Sequence, residues 1–162
     1  MPDRVNVGGT RLVLNGMGVR EATVFNVDVY VAGLYVEHRS RNGQQILDAD
    51  ERRRLVLHLV RDVEREEMVS ALRDGFRRNA GGQQSALSAR VNQLARMMPE
   101  LEEGDVMTFT YVPGTGLTVN VNGRSKGTIE GTDFARVFFS IWLGSQPPNP
   151  GLRSGLLGGS CG

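Results

Sequence analysis

Cysteine is almost absent. Cys161 is the only one in 162 residues, so no internal disulfide and no cysteine ligand spacing for a metal can be written, and the redox compartment stays open. Histidine is nearly as scarce, at two residues. Of these, His58 has no serine, cysteine or carboxylate constellation near it in sequence, as acid or base work would require, and it is read as a structural or surface residue. Net charge is missing too. Nineteen Lys and Arg stand against 18 Asp and Glu, leaving +1, so no global field recommends nucleic acid or an anionic membrane as a partner. No apolar run approaches the ~20 residues of a membrane span, and Met1-Pro2-Asp3-Arg4 lacks the apolar core of an export signal; the chain reads as soluble. Lys126-Gly127 follows no Gly-rich loop leading into a helix and the Walker pattern is absent, which excludes nucleotide binding. Neither a metal site nor a cofactor is expected, and the composition leaves the oligomeric state open.

What is present has the length of one ordinary domain, expected over residues 1–158 with a short flexible tail at 159–162. Val5 to Val7, a Gly8-Gly9 turn and Thr10 to Leu14 read as a hairpin, with Leu12 and Leu14 on one face. Further strand material is expected at Thr23 to Asn26 and Val29 to Val36. Strict alternation puts Val29, Val31 and Gly33 on one face of that last strand, and Tyr30, Ala32 and Leu34 on the other. His38 to Glu51 is a polar connector with one helical turn at Gln45 to Ala49. Leu55, Leu57 and Leu59 then mark a strand.

Val63 to Asn79 carries Met68, Val69, Leu72 and Phe76 at helical spacing, with Glu64, Glu66 and Glu67 early and Arg77 and Arg78 late, the charge order that suits a helix dipole. A second helix from Gln83 has Leu87, Val91, Leu94, Met98 and Leu101 on one stripe; Met97 and Met98 are read as core filling. A three-strand meander follows through Val106 to Val112, Leu117 to Val121 and Arg124 to Ile129, turning at Pro113-Gly114 and Asn122-Gly123. Thr132 is the expected N-cap of the most apolar helix, which runs through Phe134, Val137, Phe138, Ile141 and Trp142 to Gly144. A short helix through Leu152, Leu156 and Leu157 closes the chain. Strands, two helices, three strands and helices again give an α+β order without regular βαβ alternation. The expected architecture is one large, mainly antiparallel sheet with helices packed on one face and a cleft between them.

The stretch from Leu14 to Glu37 carries the candidate site. Two apolar runs flank a polar turn region at Glu21 to Asp28, and Arg20 ends a segment punctuated by Gly16 and Gly18, where a bulge or a close approach by another group is easy. A guanidinium beside such a bulge can meet a carboxylate or an enolate; a solvated strand-edge arginine is the plainer reading of the same pattern. Gly16-Met17-Gly18-Val19-Arg20, followed by Val31-Ala32-Gly33-Leu34-Tyr35-Val36-Glu37, resembles the opening of the chalcone isomerase-like superfamily. Phe138-Phe139-Ser140-Ile141-Trp142-Leu143-Gly144 and Leu152-Arg153-Ser154-Gly155-Leu156-Leu157-Gly158 resemble the last two helices of the same fold. The likeness covers nearly the whole chain and is nearest to the short bacterial members. It implies a chalcone isomerase-like open-faced β-sandwich. By the same analogy it implies an exported, periplasmic protein whose leader has been removed; without that analogy the expectation is cytoplasmic.

In the plant isomerases of this superfamily an arginine stabilises the enolate that develops as a phenolate closes a ring, and Arg20 matches that arginine. The rest of the set departs. Tyr30 stands where the enzymes place a threonine, Glu66 to Gly75 holds neither the tyrosine nor the asparagine of their first long helix, and Ile141 replaces a second threonine. Each lost transition-state contact of this kind is worth about two to four kcal/mol. An arginine and a tyrosine in an apolar cleft suit one carboxylate instead, and the fatty-acid-binding members use that pair. The resemblance therefore implies a non-catalytic protein holding a fatty acid or similar amphiphilic carboxylate at Arg20 and Tyr30. The alternatives are an isomerase of weak or different activity centred on Arg20 and a domain in which both residues only bond the scaffold.

Overall fold

The apolar alternation of the N-terminal third folds into three strands, β1 (Arg4–Val7), β2 (Thr10–Ala22) and β3 (Val27–Val36). The computed structural model describes residues 1–22 and 27–159; the strand material expected at 23–26, and Cys161 with residues 160–162 of the expected tail, lie outside the described residues. After helix α1 (Gly43–Asp48) come β4 (Arg53–Leu59), α2 (Arg65–Asn79) and α3 (Gln84–Arg96). The meander β5 (Val106–Val112), β6 (Gly116–Val121) and β7 (Arg124–Ile129) follows, then α4 (Thr132–Leu143) and α5 (Pro150–Leu156). The seven strands form one sheet in chain order, and every pairing is antiparallel.

The fold is α+β, with the helices on one face of the sheet. Ala32, Leu34, Leu55, Leu57, Phe109, Val119 and Ile129 meet α2, α3, α4 and α5 in the main core. Among the described residues the opposite face carries a small cluster, with Val7, Leu12 and Tyr35 at its centre and Val5, Leu14, Val56 and Val112 around it. His58, on that face, is exposed, as its place in the alternation predicts. The core is organised by aromatic residues of α4. Phe138 lies 4.8 Å from Phe109, 4.9 Å from Trp142 and 5.2 Å from Phe139, centroid to centroid.

Three local expectations shift. Thr132 does not cap α4: Gly131, at φ 112°, holds the cap position, and the Thr132 hydroxyl shares a hydrogen bond of 3.0 Å with Tyr111 Oη. The stripe expected to run along α3 to Leu101 leaves the helix after Arg96, because Pro99 disfavours helical backbone at Met98. Met98 and Leu101 still reach the core from the following loop, where Leu101 pairs with Val63. Finally α1 starts earlier than Gln45, since the Asn42 side chain accepts from Gln45 N at 3.2 Å and caps it.

Candidate functional site

Two bulges decide what the hairpin of β2 and β3 presents to the helices. Leu14 pairs with Tyr35 but Gly16 pairs with Leu34, so Asn15 is an extra residue on β2. A single inserted residue moves every later side chain to the other face of the sheet. Leu12 and Leu14 therefore join the small cluster, whereas Gly16, Gly18 and Arg20, of the same parity, face the helices. The Asn15 side chain holds the bulge: it donates to Ser40 O at 3.0 Å and Leu156 O at 2.8 Å, and accepts from Ser40 N at 2.9 Å. The second bulge falls on β3. Arg20 pairs with Tyr30 and Glu21 with Asp28, which leaves Val29 as the extra residue. The strict alternation expected for β3 breaks there, and Val29 and Tyr30 line the same cavity instead of opposite faces.

The glycines of β2 admit helix α5. A methyl group built on Gly16 would stand 2.1 Å from Gly155 O, and one on Gly18 would stand 2.5 Å from Leu152 O. Past Val13, β1 no longer covers the outer edge of β2. Asn149, just before α5, takes over: its amide donates to Val19 O at 3.1 Å and its carbonyl oxygen accepts from Glu21 N at 3.2 Å. These two bonds bracket Arg20 and fix the strand on either side of it.

Arg20 and Tyr30, opposite each other across the pair, both line a cavity of about 220 Å3 between the sheet, α2 and the end of α4. Leu57, Val63, Met68, Leu72 and Ile141 supply apolar wall, and Trp142 closes around Tyr30. Among the described residues the Arg20 side chain bonds only its neighbour's carbonyl, Glu21 O, and makes no ion pair. Tyr30, 6% exposed, accepts a hydrogen bond of 3.0 Å from Trp142 Nε1. Burial pushes the Tyr30 phenol up to about 12, against the opposing pull of the Trp142 bond and the nearby Arg20 charge. It is a neutral donor across the physiological range.

The sequence reading brought Arg20 and Tyr30 together but took Trp142 only as core; it is 4% exposed and also lines the cavity. Glu67, Ala71, Asp74 and Arg78 line it too; the sequence reading took Glu67 and Arg78 only as charges suited to the helix dipole and did not name Ala71 or Asp74. Their spacing of four, three and four along α2 places them on one helical line, a signal that the stronger apolar stripe beside it obscured. Arg61 reaches the cavity from the loop after β4 and pairs with Glu67 at 2.6 Å. Ile141 sits against Gly75, where an added methyl would come within 2.7 Å of it. Ile141, which the resemblance aligns with a threonine of the isomerases, is thus packed wall. Among the described residues no group of three or more His, Cys, Asp or Glu is placed to hold a metal ion. No helix described is long and apolar enough to cross a membrane.

A seven-stranded antiparallel sheet with helices on one face, and a cavity between them walled by apolar residues and holding an arginine and a buried tyrosine, defines a class of α+β protein. The chain belongs to the chalcone isomerase-like family, whose family model matches residues 1–158. Thirty-eight chains of solved structures are similar to it. One is the crystal structure of a fatty-acid binding protein from Arabidopsis thaliana, with a TM-score of 0.76 at 17% identity over 97% of this chain and 90% of that one. At that identity the likeness is one of fold. No curated protein matches the sequence.

Proposed function

We propose that this protein binds, without transforming it, an amphiphilic carboxylate of the fatty-acid class, with the headgroup at Arg20 and Tyr30 and the acyl chain along the apolar wall. The observation that carries this reading is that a charged fork and a neutral phenol donor stand opposite each other in one cavity, where a carboxylate would accept from both. The structural likeness to a fatty-acid binding protein supports it. At about 220 Å3 the cavity lies below the roughly 300–1,000 Å3 usual for small-molecule sites, which favours a short or medium acyl chain. The rival reading, isomerase chemistry centred on Arg20, rests on the same arginine. Ile141 and Gly75 put a tight apolar contact where that chemistry would need fixed polar groups.

The test is calorimetry of decanoate against methyl decanoate on the wild type, Arg20→Ala and Tyr30→Phe. The acid is expected to bind the wild type more tightly, by roughly 1.5–3 kcal/mol for hydrogen bonds to a charged group. Arg20→Ala should remove most of that preference and Tyr30→Phe a smaller share. Equal binding of acid and ester by the wild type would sink the reading. So would rapid chalcone cyclisation in a spectrophotometric assay that Arg20→Ala abolishes.

A further inference from the structure

The indole N–H of Trp142 can only donate, so in its 3.0 Å bond to Tyr30 the phenol oxygen is the acceptor. The Tyr30 hydroxyl must then send its own proton elsewhere, and among the described residues nothing accepts it. A buried donor left without an acceptor is costly, and Tyr30 lies on the wall of the cavity. A hydroxyl that already accepts a hydrogen bond is also polarised into a better donor. Trp142 itself is fixed from behind, 4.9 Å from Phe138 and 6.4 Å from Phe109 between ring centroids.

We propose that Trp142 is a positioning residue of the ligand site, whose indole N–H orients the Tyr30 hydroxyl so that its proton is offered to an acceptor-only headgroup. This rests on the carboxylate reading and narrows it. At this end of the cavity a ligand meets the donor-only guanidinium of Arg20 beside a phenol committed to donating. Oxyanions, above all carboxylates, satisfy both. An ammonium group, or the NH2 of a primary amide, satisfies neither.

The experiment measures the ratio of decanoate to methyl decanoate affinity in the wild type, Tyr30→Phe, Trp142→Phe and the double variant. Trp142→Phe keeps an aromatic ring and deletes the donor. It is expected to lower the ratio by about three-fold, towards the Tyr30→Phe value, and the double variant should lose little more than either single change. An undiminished ratio in Trp142→Phe, or losses that multiply in the double variant, overturns the positioning role while the Arg20 site stands. A wild-type ratio near one, or one that Arg20→Ala leaves intact, instead brings down the headgroup reading and this inference with it. If Trp142→Phe fails to unfold cooperatively, the single indole N–H resonance of the chain carries the test. Its signal should shift, and exchange faster with solvent, in Tyr30→Phe, and should move when decanoate is added to the wild type. A resonance that stays in place under both changes overturns the proposal.

Discussion

Tyr30 shows how burial turns a titratable side chain into a fixed one. In the unfolded chain its phenol ionises near 10.0, whereas in the fold burial raises it to about 12. Above pH 10 the unfolded state therefore holds fewer protons than the folded state, and stability falls as pH rises. The contribution is whole below about pH 10 and is lost as pH climbs from there to about 12, amounting to roughly 2–3 kcal/mol. Urea unfolding at pH 9 and pH 11.5 should accordingly show a smaller alkaline loss in Tyr30→Phe than in the wild type. Equal losses would mean that Tyr30 ionises freely in the fold. Arg20 and Tyr30 were legible as candidates from residue type and order, through the resemblance, and they line one cavity. Trp142 was not, because a tryptophan on an apolar helix face looks the same whether its N–H meets water, a carbonyl or a phenol. Only the packing of α4 on β3 reveals the partner.

Elements were more legible than their faces. Alternation in β4 and β5, turn residues in the meander and the 3.6 period of α2 all announce themselves locally, and the structure has each of them where the pattern puts it. A bulge has no such signature. Asn15 and Val29 each slip the register by one, and with it the face to which Arg20 or Val29 belongs. That depends on Ser40 and Leu156 accepting the Asn15 amide, partners 25 and 141 residues away. The glycines of β2 were read correctly as a place of close approach, but what approaches, α5, is set by tertiary packing. Gly18→Ala should drive a methyl group into the Leu152 backbone and destabilise the protein by roughly 1–3 kcal/mol or more. Gly9→Ala is a fitting control, since that site is open and shows only the strain of its positive φ. If Gly18→Ala shifted the denaturation midpoint no more than Gly9→Ala does, the tight seat of α5 on β2 would be wrong.

Across the whole molecule the cavity sets a length scale. Each buried methylene adds about 0.8 kcal/mol until the wall is used up, and about 220 Å3 is soon used up. Affinity for straight-chain acids, measured by calorimetry from hexanoate upward, should climb and then level off within the medium-chain range. A steady gain through octadecanoate would mean that α2 and α4 part to admit longer chains. The strand order holds a different consequence. Because each strand of the sheet pairs with the next one made, most of it can zip up as the polypeptide leaves the ribosome, through short closures that cost little entropy. Its outer border from Gly16 to Glu21 is the exception, since Asn149 and α5 follow the last strand in the chain. Until those residues are made, that length of β2 is a bare edge with unpaired amides, the kind of surface on which nascent chains stick to one another. Two glycines and a charged arginine make it a poor template for such pairing. The residues that seat α5 and bring Arg20 to the cavity in the folded protein thus also guard the chain before α5 is made.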